Sequence, residues 1–452
     1  MGNGWLPIQK EEIMKKITSI LVLFTLAICI VSGCAEKSEL SVDSPVTLTM
    51  WHVYGEQASS PMNVLIDEFN RTEGKQRGVI INVTAMSNAS QIGPQLLEAK
   101  ADNPGAPDMP DLFFCHSNNA QALGEENLVN WNDYFTNEEL SEFIPEFVED
   151  GMVGEKLAVF PVSKSTHMLF VAGGAFERFS ADTGVTYGDL STWDGFFDVC
   201  EKYYVWSGGK PFCAIDYLIR CVELSALSVG SGDFYTQDGW YNYSNEVFKE
   251  HFMKFASAIS KGYIVVSDLY SNTQVMTGEV MAGIGSSASI LYYNDTITYP
   301  DNTKEPMNLK VVPLPQTGKG ENLVTQAGVG LCAYKTTTQK AEAAYVFAKW
   351  LTENDRNVDF VTDTGYMPVR KKSLSDMESY KFDDQGYRSL YEALGVTQST
   401  CKAVAEPNFV GYYDKIYALY DGIREMQKNL NSYESEEAFT TAVWDLFVTV
   451  GN

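Results

Sequence analysis

An alternation of strand and helix patterns between residues 45 and 116 constrains the fold of this chain more than any other sequence feature. β-Rich stretches occur at VTLTMW, GVIINVTAM and DLFFCH, with helical stretches between them at SPMNVLIDEFNRT and QIGPQLLEAKAD. The apolar residues of the first helical stretch fall on one face, namely Met62, Leu65, Ile66 and Phe69. This β-α-β-α-β order predicts a layered, parallel sheet with right-handed connections.

The rest of the chain contains further elements of both kinds. Two apolar β stretches flank a Pro-x-Ser-x-Ser segment at 161–165, and a Thr-capped amphipathic helix is predicted in STWDGFFDVCEKYYVW. Residues 206–244 are rich in Gly, Ser and aromatic residues. NLKVVPLPQ and AGVGLCAY resemble strands, TTQKAEAAYVFAKWLTEND a Thr-capped helix, and the C-terminal segment is mainly helical. Four tryptophans lie in helical patterns and are assigned to packing: Trp131, Trp193, Trp350 and Trp444.

The N-terminus has the pattern of a secretory signal. Two lysines precede the apolar run ITSILVLFTLAICIVSG, which is short for a membrane span of about 20 residues. The junction VSGC, ending at Cys34, resembles the bacterial lipobox, in which the cysteine receives a lipid and becomes the first mature residue. We predict a signal region at 1–33, with translation starting at Met14, and a polar lipid tether at 34–44. An uncleaved transmembrane anchor is the alternative.

The composition is strongly acidic, with a formal net charge of −26 over 452 residues. Residues 1–33 contain three Lys and two Glu, so their removal changes −26 to −27. This charge argues against nucleic acid, which requires a basic surface. It does not favour an anionic ligand either, although a pocket can be locally basic inside an acidic protein. A chain of this length usually forms more than one core, so two lobes are expected. No CxxC pair occurs, and most cysteines are expected to be buried free thiols.

Eight short segments are spread over nearly the whole mature chain. They are LTMWHVYGEQASSPMNVLIDEFN; PDLFFCHS with ENLVNWNDYF; LAVFPVSKSTHMLFVAGGAF; LSTWDGFFDVCEK; GEVMAGIGSSASI; VVPLPQ; AGVGLCAYKTTTQKAEAAYVFAKWLTEND; and TGYMPVRKK. Each is weakly specific alone. In this order, behind a lipoprotein signal, they resemble the extracellular solute-binding proteins of bacterial ABC importers, family 1, which mostly bind carbohydrates.

The resemblance implies an α/β, two-lobed fold of the type II periplasmic-binding-protein kind. Each lobe would be a mainly parallel sheet flanked by helices, with the ligand cleft between the lobes. Residues 45–162 and 328–362 would form lobe one, and residues 163–327 and 363–452 would form lobe two. The family closes its lobes on the ligand by hinge bending. The chain would cross between lobes near 161–163, 328–331 and 365–368.

A carbohydrate ligand would require two kinds of side chain. Aromatic rings pack on the apolar C–H faces of a sugar, and amide, hydroxyl and carboxylate groups bond its hydroxyls. The cleft loops that the resemblance implies contain both kinds. For any single aromatic residue the alternative is core packing, and for His116 it is a buried imidazole. The candidate ligand-binding residues are Trp51, His52, Tyr54, Glu56, His116, Ser163, Lys164, Ser165, Trp240, Ser286, Ser287, Gly328, Tyr366 and Tyr412.

The stretch GIGSSA, at 283–288, matches a glycine pattern that cradles phosphates in nucleotide-binding proteins. GVGLCA, at 328–333, matches it too, and no P-loop lysine accompanies either stretch. We therefore expect no nucleotide. Ser286 and Ser287 are instead expected to begin a helix and to bond ligand hydroxyls, since the resemblance implies that this loop contacts ligand.

Two alternatives stay open. WHVYGEQ, SKST and TGYMP also resemble the glycerol-3-phosphate-binding branch of the family, which carries a basic residue late in the chain. Here Tyr417 lies near that position and Lys415 two residues away, so whether Lys164 or Lys415 meets a phosphate is undecided. A secreted glycosidase would need two carboxylates at a defined separation, and with 59 acidic residues composition cannot single out a pair.

The sequence therefore predicts a binding protein rather than an enzyme. The expected ligand is a mono- or oligosaccharide, and no cofactor, metal or nucleic acid is expected. The expected partners are the permease subunits of an ABC importer and the outer face of the bacterial cytoplasmic membrane, reached through a lipid on Cys34. We expect the protein to be a monomer.

Overall fold

The computed structural model describes residues 38–54, 60–85, 89–230, 232–267, 270–377, 379–407, 409 and 411–452. Within these ranges the strands form a four-stranded sheet, a five-stranded sheet and three two-stranded sheets. The strands are β1 Val46–His52, β2 Val79–Ala85, β3 Leu112–Cys115, β4 Met152–Val153, β5 Lys156–Leu157, β6 His167–Val171, β7 Cys213–Ile215, β8 Ile264–Val266, β9 Ala282–Ser286, β10 Thr296–Thr298, β11 Lys304–Pro306, β12 Lys310–Pro313, β13 Leu323–Gln326, β14 Gly330–Ala333 and β15 Lys402–Ala405.

Helices cover the sheets and form most of the C-terminal segment. The α-helices are α1 Pro61–Arg71, α2 Glu73–Arg77, α3 Ala89–Ala101, α4 Ser117–Leu123, α5 Asn137–Ser141, α6 Pro145–Glu149, α7 Gly173–Thr183, α8 Trp193–Ser207, α9 Leu218–Val229, α10 Glu246–Ser260, α11 Ser271–Met276, α12 Thr338–Leu351, α13 Asn354–Thr362, α14 Lys371–Met377, α15 Gln385–Thr400, α16 Tyr412–Lys428 and α17 Glu436–Gly451. Short 3₁₀ helices lie at Glu125–Asn127, Trp131–Asp133, Tyr187–Ser191, Ser287–Tyr292 and Leu430–Ser432.

The four-stranded sheet, called the first sheet, has the order β14-β3-β1-β2. Strand β1 lies parallel to both β2 and β3, as the alternating pattern predicts. Strand β14 joins the free edge of β3 antiparallel, with Leu331 opposite Phe114. This edge strand lies far along the chain from β3, so the first sheet is built from two separate parts of the sequence.

Helix α1 forms where its sequence predicts it. Ser60 is the N-cap, and its hydroxyl accepts a hydrogen bond from the Asn63 N–H at 3.3 Å. Pro61 occupies the first turn, where its missing N–H costs nothing. The buried residues Met62, Ile66 and Phe69 then lie on one face against the core.

The five-stranded sheet, called the second sheet, has the order β12-β6-β9-β7-β8. Strand β7 is parallel to β8 and β9, whereas β6 is antiparallel to β9 and β12. Helix α9, which follows β7 in the chain and packs against α10 and β13, was not evident from the sequence of 206–244. Nearly all of its residues are buried, including Arg220 and Glu223, so its apolar residues do not mark one face.

Three chain segments lie side by side between the two sheets. Phe160 pairs with Leu331, Ser165 with Ala327, and Lys164 with Met367, each in antiparallel bridges. The buried Asn357 side chain joins two of the segments, since its amide donates to the Val162 carbonyl at 2.8 Å and accepts from the Val369 N–H at 3.1 Å. We call these the crossing segments (160–166, 326–331 and 364–370).

Candidate functional site

A small polar cavity lies beside the crossing segments. One wall is formed by the end of β3 and the start of α4. The opposite wall is formed by the residues just before α16 and by its first turn, and α16 contacts strand β8 of the second sheet. Its volume of about 20 Å³ has room for one water-sized group. We call it the polar cavity; it is lined by His116, Ser117, Asn118, Asp150, Gln326, Ala327, Gly328, Glu406, Pro407 and Tyr413.

The charge of Lys164 is neutralised within the protein. This lysine is only 2% exposed, and its Nζ is paired with an Asp150 carboxylate oxygen. The backbone of Lys164 is fixed as well, because its N–H donates to the Met367 carbonyl at 3.2 Å. The side chain of Lys164 is therefore held behind Asp150, which itself lines the polar cavity.

His116 is a neutral ring at this site. Its ring centroid lies 5.2 Å from that of Tyr413, so the first-sheet wall and the α16 wall touch here. Burial and, to a smaller extent, nearby Lys164 lower the pKa of His116 to about 4, and Asp150 opposes the shift. An uncharged imidazole can both donate and accept a hydrogen bond, which suits a hydroxyl-rich ligand.

Glu406 brings a carboxylate to the cavity from the α16 side. Its Oε2 accepts a hydrogen bond from the Tyr413 hydroxyl at 2.6 Å, and its Oε1 lies 3.9 Å from His167 Nε2. Burial raises the pKa of Glu406, nearby Arg220 lowers it and Asp150 raises it. The pKa of His167 is lowered well below its usual value by burial, so this imidazole is not a counter-ion at neutral pH.

Arg220 is held behind the cavity by an ion pair and several hydrogen bonds. Its guanidinium pairs with the buried Glu223 at 2.8 Å and donates to Thr325 Oγ1 at 2.9 Å. It also donates to the carbonyls of Val404 at 2.6 Å and Ala405 at 2.9 Å. These bonds fix strand β15, and with it the segment that carries Glu406.

Tyrosines form a partly exposed surface near Glu406. Tyr417 is 47% exposed and its ring stacks at 6.2 Å from that of Tyr413. Tyr270 is 54% exposed and lies close enough to Tyr217 and Tyr417 to contribute to the raised pKa of each, after burial. Tyr217 in turn stacks on His167 with ring centroids 4.0 Å apart. Such ring faces suit the C–H faces of a sugar.

Several predicted ligand residues meet at or beside the polar cavity. His116 and Gly328 line it, and Lys164 contacts it through Asp150. Ser165 exchanges backbone hydrogen bonds with Ala327, another lining residue. Tyr412 is buried next to Tyr413 and its hydroxyl lies 3.1 Å from that of Tyr241.

The predicted residues of the β1 end lie deeper. Trp51 is 8% exposed and belongs to the apolar core under the first sheet. The His52 ring is fully buried, with Nε2 2.8 Å from Asn63 Oδ1 and Nδ1 accepting from the Tyr54 N–H at 3.1 Å. Tyr54 has its hydroxyl 3.2 Å from that of Ser163 and its ring 5.8 Å from that of half-buried Tyr366.

The remaining predicted residues lie apart from the polar cavity. Trp240 is 4% exposed within an aromatic cluster that includes Phe447, and the Lys415 ammonium lies 5.3 Å from its ring centre. Ser286 caps the 3₁₀ helix at 287–292, its hydroxyl accepting from the Ala288 N–H at 3.3 Å. Ser287 is fully buried. Glu56 and Cys34 lie outside the described residues.

Sequence reasoning missed seven lining residues. Asn118 and Gln326 stand two residues from His116 and Gly328, so they could have been found by extending those candidates. Nothing in the sequence distinguishes Asp150 or Glu406 from the other acidic residues, whereas Tyr413, next to Tyr412, was itself an aromatic candidate. The missed residues are Ser117, Asn118, Asp150, Gln326, Ala327, Glu406 and Pro407.

A larger groove of about 550 Å³ lies elsewhere, between the start of α1, the end of α13 and residues 380–387. Its walls combine the aromatic rings of Tyr380, Phe382 and Tyr387 with several aspartates. Among the described residues we find no group of three or more His, Cys, Asp or Glu side chains suited to a metal ion. A search of the same residues for a helix long and apolar enough to span a membrane found none.

Comparison with solved structures shows the fold. The cyclic alpha-maltosyl-1,6-maltose binding protein of Arthrobacter globiformis superposes with a TM-score of 0.67 at 17% identity, covering 90% of this chain and 99% of its own. UgpB of Mycobacterium tuberculosis, in complex with glycerophosphocholine, gives 0.68 at 14% identity, covering 90% and 98%. The ABC substrate-binding protein Lmo0181 of Listeria monocytogenes, in complex with cycloalternan, gives 0.66 at 15% identity, covering 90% and 100%.

These likenesses confirm the predicted two-lobed α/β fold, and the two sheets described above are its larger sheets. A family model described as a bacterial extracellular solute-binding protein matches residues 65–385, which is well over half of the chain. The chain therefore belongs to the bacterial extracellular solute-binding protein family.

Proposed function

We propose that this protein captures a mono- or oligosaccharide in the cleft between its lobes and delivers it to an ABC importer. The observation that carries the proposal is the polar cavity, whose lining comes from both walls of the cleft and includes the neutral His116 and the carboxylate of Glu406. The partly exposed Tyr270 and Tyr417 would pack on sugar faces. Among the predicted residues, His116, Ser165, Gly328 and Tyr366 are the proposed ligand neighbours.

The charges near the cavity disfavour a phosphate. Lys164 is paired with Asp150, and Arg220 with Glu223. Lys415 donates to the Gly451 carbonyl and lies over the Trp240 ring. The phosphate of a glycerophosphodiester would therefore have to displace a carboxylate from one of these cations or bind without a cationic partner. It remains the second candidate because of the likeness to UgpB, which was solved with glycerophosphocholine.

The experiment that tests the proposal is isothermal titration calorimetry of the purified protein. We would titrate malto- and cello-oligosaccharides, their monosaccharides, and glycerophosphocholine. We expect saturable binding of at least one carbohydrate, and Glu406→Ala is expected to weaken it. Binding of glycerophosphocholine alone would favour the second candidate. Conversion of a bound sugar into product, followed by chromatography, would contradict the expectation that the protein performs no catalysis.

We further propose that Cys34 carries a lipid, that translation starts at Met14 and that the protein acts as a monomer. The lobe boundaries proposed are 45–162 with 328–362, and 163–327 with 363–452. The polar N-terminal segment and the acidic surface support a hydrated protein held at a membrane face. Mass spectrometry of the membrane-extracted protein tests the lipid, since a free N-terminus at another residue would contradict it.

A further inference from the structure

We propose that the polar cavity is a subsite for a primary ammonium group, so that the preferred ligand is an amino sugar or an oligosaccharide that contains one. The inference rests on the proposed carbohydrate function and narrows it. It places the ligand nitrogen between Glu406, on one wall, and Asp150 and Asn118, on the other.

Charge is the first argument. Five ionisable side chains cluster at or behind the cavity: the carboxylates of Asp150, Glu223 and Glu406, and the cations Lys164 and Arg220. Two ion pairs account for four of them; Glu406 has no ion pair of its own, and the cation that acts on it, Arg220, is already paired with Glu223. His116 and His167 do not supply one, because both rings are held neutral. When Glu406 is ionised, the cluster therefore has one more carboxylate than cations, and a ligand cation would neutralise this excess charge.

Hydrogen-bonding capacity is the second argument. Glu406 Oε2 is occupied by the Tyr413 hydroxyl, whereas Oε1 has only His167 Nε2 nearby, at 3.9 Å. Asn118 lines the same cavity and is 8% exposed, and its Oδ1 has no hydrogen-bond partner among the described residues. A buried acceptor without a donor is costly, so Asn118 Oδ1 favours a group that only donates, and Glu406 Oε1 can accept a second bond from the same group.

Size is the third argument. A volume of about 20 Å³ holds one non-hydrogen atom with its hydrogens. An ammonium fits, whereas the trimethylammonium of a choline group is larger and has no N–H to donate. An N-acetyl group is also too large and is uncharged. The subsite should thus discriminate between ligands that are otherwise alike but carry an ammonium, a trimethylammonium or an N-acetyl group.

The position of the two carboxylates couples this subsite to lobe closure. Asp150 and Glu406 come from opposite walls. They are close enough to each other that Asp150 contributes to the raised pKa of Glu406. Bringing the walls together therefore brings the Glu406 carboxylate towards that of Asp150, whose charge Lys164 neutralises only in part. An ammonium between them would remove that cost only in the closed form, which is how a ligand shifts a conformational equilibrium.

The test uses three β-1,4-linked trisaccharides that share one backbone: those of glucose, glucosamine and N-acetylglucosamine. Calorimetry is run on the intact protein at a pH where the amines are protonated. We expect the glucosamine trisaccharide to bind at least tenfold more tightly than either of the others. Glu406→Gln, which keeps the shape and the Tyr413 contact, should reduce that preference to within twofold.

Two further variants control the result. Asn118→Asp places a second charge at the subsite and should increase the preference for the amine. Glu434→Gln removes an equally charged but exposed side chain, and the preference should be unchanged. These variants separate a local subsite from the general attraction of a cation to an acidic protein, because an equal loss in Glu434→Gln and Glu406→Gln would overturn the subsite.

The outcomes distinguish this inference from the function on which it rests. Equal affinity for the three trisaccharides would overturn the ammonium subsite and leave carbohydrate binding intact. Binding of glycerophosphocholine without any of the trisaccharides would contradict the proposed carbohydrate function and the subsite together. Thermal denaturation of each variant confirms that affinities are compared between folded proteins.

Discussion

Two buried cations beside the polar cavity, Lys164 and Arg220, are each paired with a carboxylate, and the pair of Lys164 and Asp150 is the more direct to test. We expect Lys164→Met to lower the free energy of unfolding by about 3 kcal/mol, because it leaves a largely buried carboxylate without a partner. Adding Asp150→Asn should restore at least half of that loss. Urea denaturation measures both variants; equal stability of the single and double variants would contradict the pairing.

His116 predicts a pH dependence of stability. Its folded-state pKa, about 4, lies below the unfolded value of 6.5, so the unfolded chain binds more protons between these values. The contribution of neutral His116 is therefore complete above pH 6.5 and is lost as the pH falls towards 4, by at most about 3 kcal/mol. In His116→Gln this loss is absent, so the variant should gain relative stability on acidification. A constant difference from pH 7 to pH 4.5 in urea titrations would contradict the shift.

Trp240 and Tyr366 are both aromatic candidates from the sequence, but the structure places them differently. Tyr366 is half-buried against Tyr54, whereas Trp240 is enclosed by other aromatic rings. We expect Tyr366→Ala to weaken carbohydrate binding by about 1–3 kcal/mol. Trp240→Ala should instead lower the free energy of unfolding by about 3–5 kcal/mol, because it leaves a large cavity. Calorimetry and urea denaturation separate the effects, and the partly exposed Trp206 provides a control.

Elements differ in how they tolerate the same substitution, as two glycines show. Gly328, in a crossing segment, has φ of 111°, and an added Cβ would lie 3.4 Å from the Ser165 nitrogen. Gly328→Ala should therefore cost about 1–2 kcal/mol of stability. Gly395, inside α15, has open space at its Cβ position, so Gly395→Ala should stabilise by about 0.5–1 kcal/mol. Thermal denaturation measures the stability of both variants. Changes in melting temperature of the same sign would contradict the opposite effects expected at the two glycines.

At the level of elements, the sequence predicted those whose buried residues lie on one side. Helix α1 shows its face through Met62, Ile66 and Phe69, and β1 to β3 alternate with helices, so the parallel part of the first sheet was predictable. Helix α9 was not predictable, because it is buried on all sides and carries the buried ion pair of Arg220 and Glu223. The buried state of most cysteines was also predicted correctly.

The candidate site was less predictable than the fold. His116 and Gly328 adjoin recognisable strand ends, which is why pattern and resemblance both found them. Asp150 and Glu406 approach each other only because the two walls of the cleft meet, and their separation along the chain contains no local signal. Contacts made between distant segments leave no periodicity in either segment, so geometry was needed to identify them.

At the scale of the whole molecule, the three crossing segments pair with one another, and Asn357 connects two of them. Its side chain satisfies the Val162 carbonyl and the Val369 N–H, and it is fully buried. We expect Asn357→Leu to cost about 2–4 kcal/mol, because it strands both buried backbone groups. Exposed Asn132→Ala should change stability by less than about 0.5 kcal/mol. If urea denaturation gave similar values for both, Asn357 would not have this role.

Strand β14 completes the first sheet from a remote part of the chain, and this sets the order in which the protein can assemble. Its Cys332 meets Cys115 across 217 positions of sequence, with sulfur atoms 3.6 Å apart. While a ribosome is still making the intervening lobe, β3 has an unpaired edge, the kind of surface on which nascent chains aggregate. Because so long a loop must close first, formation of the completed sheet should be slow, and a chaperone that shields that edge should raise the yield of native protein.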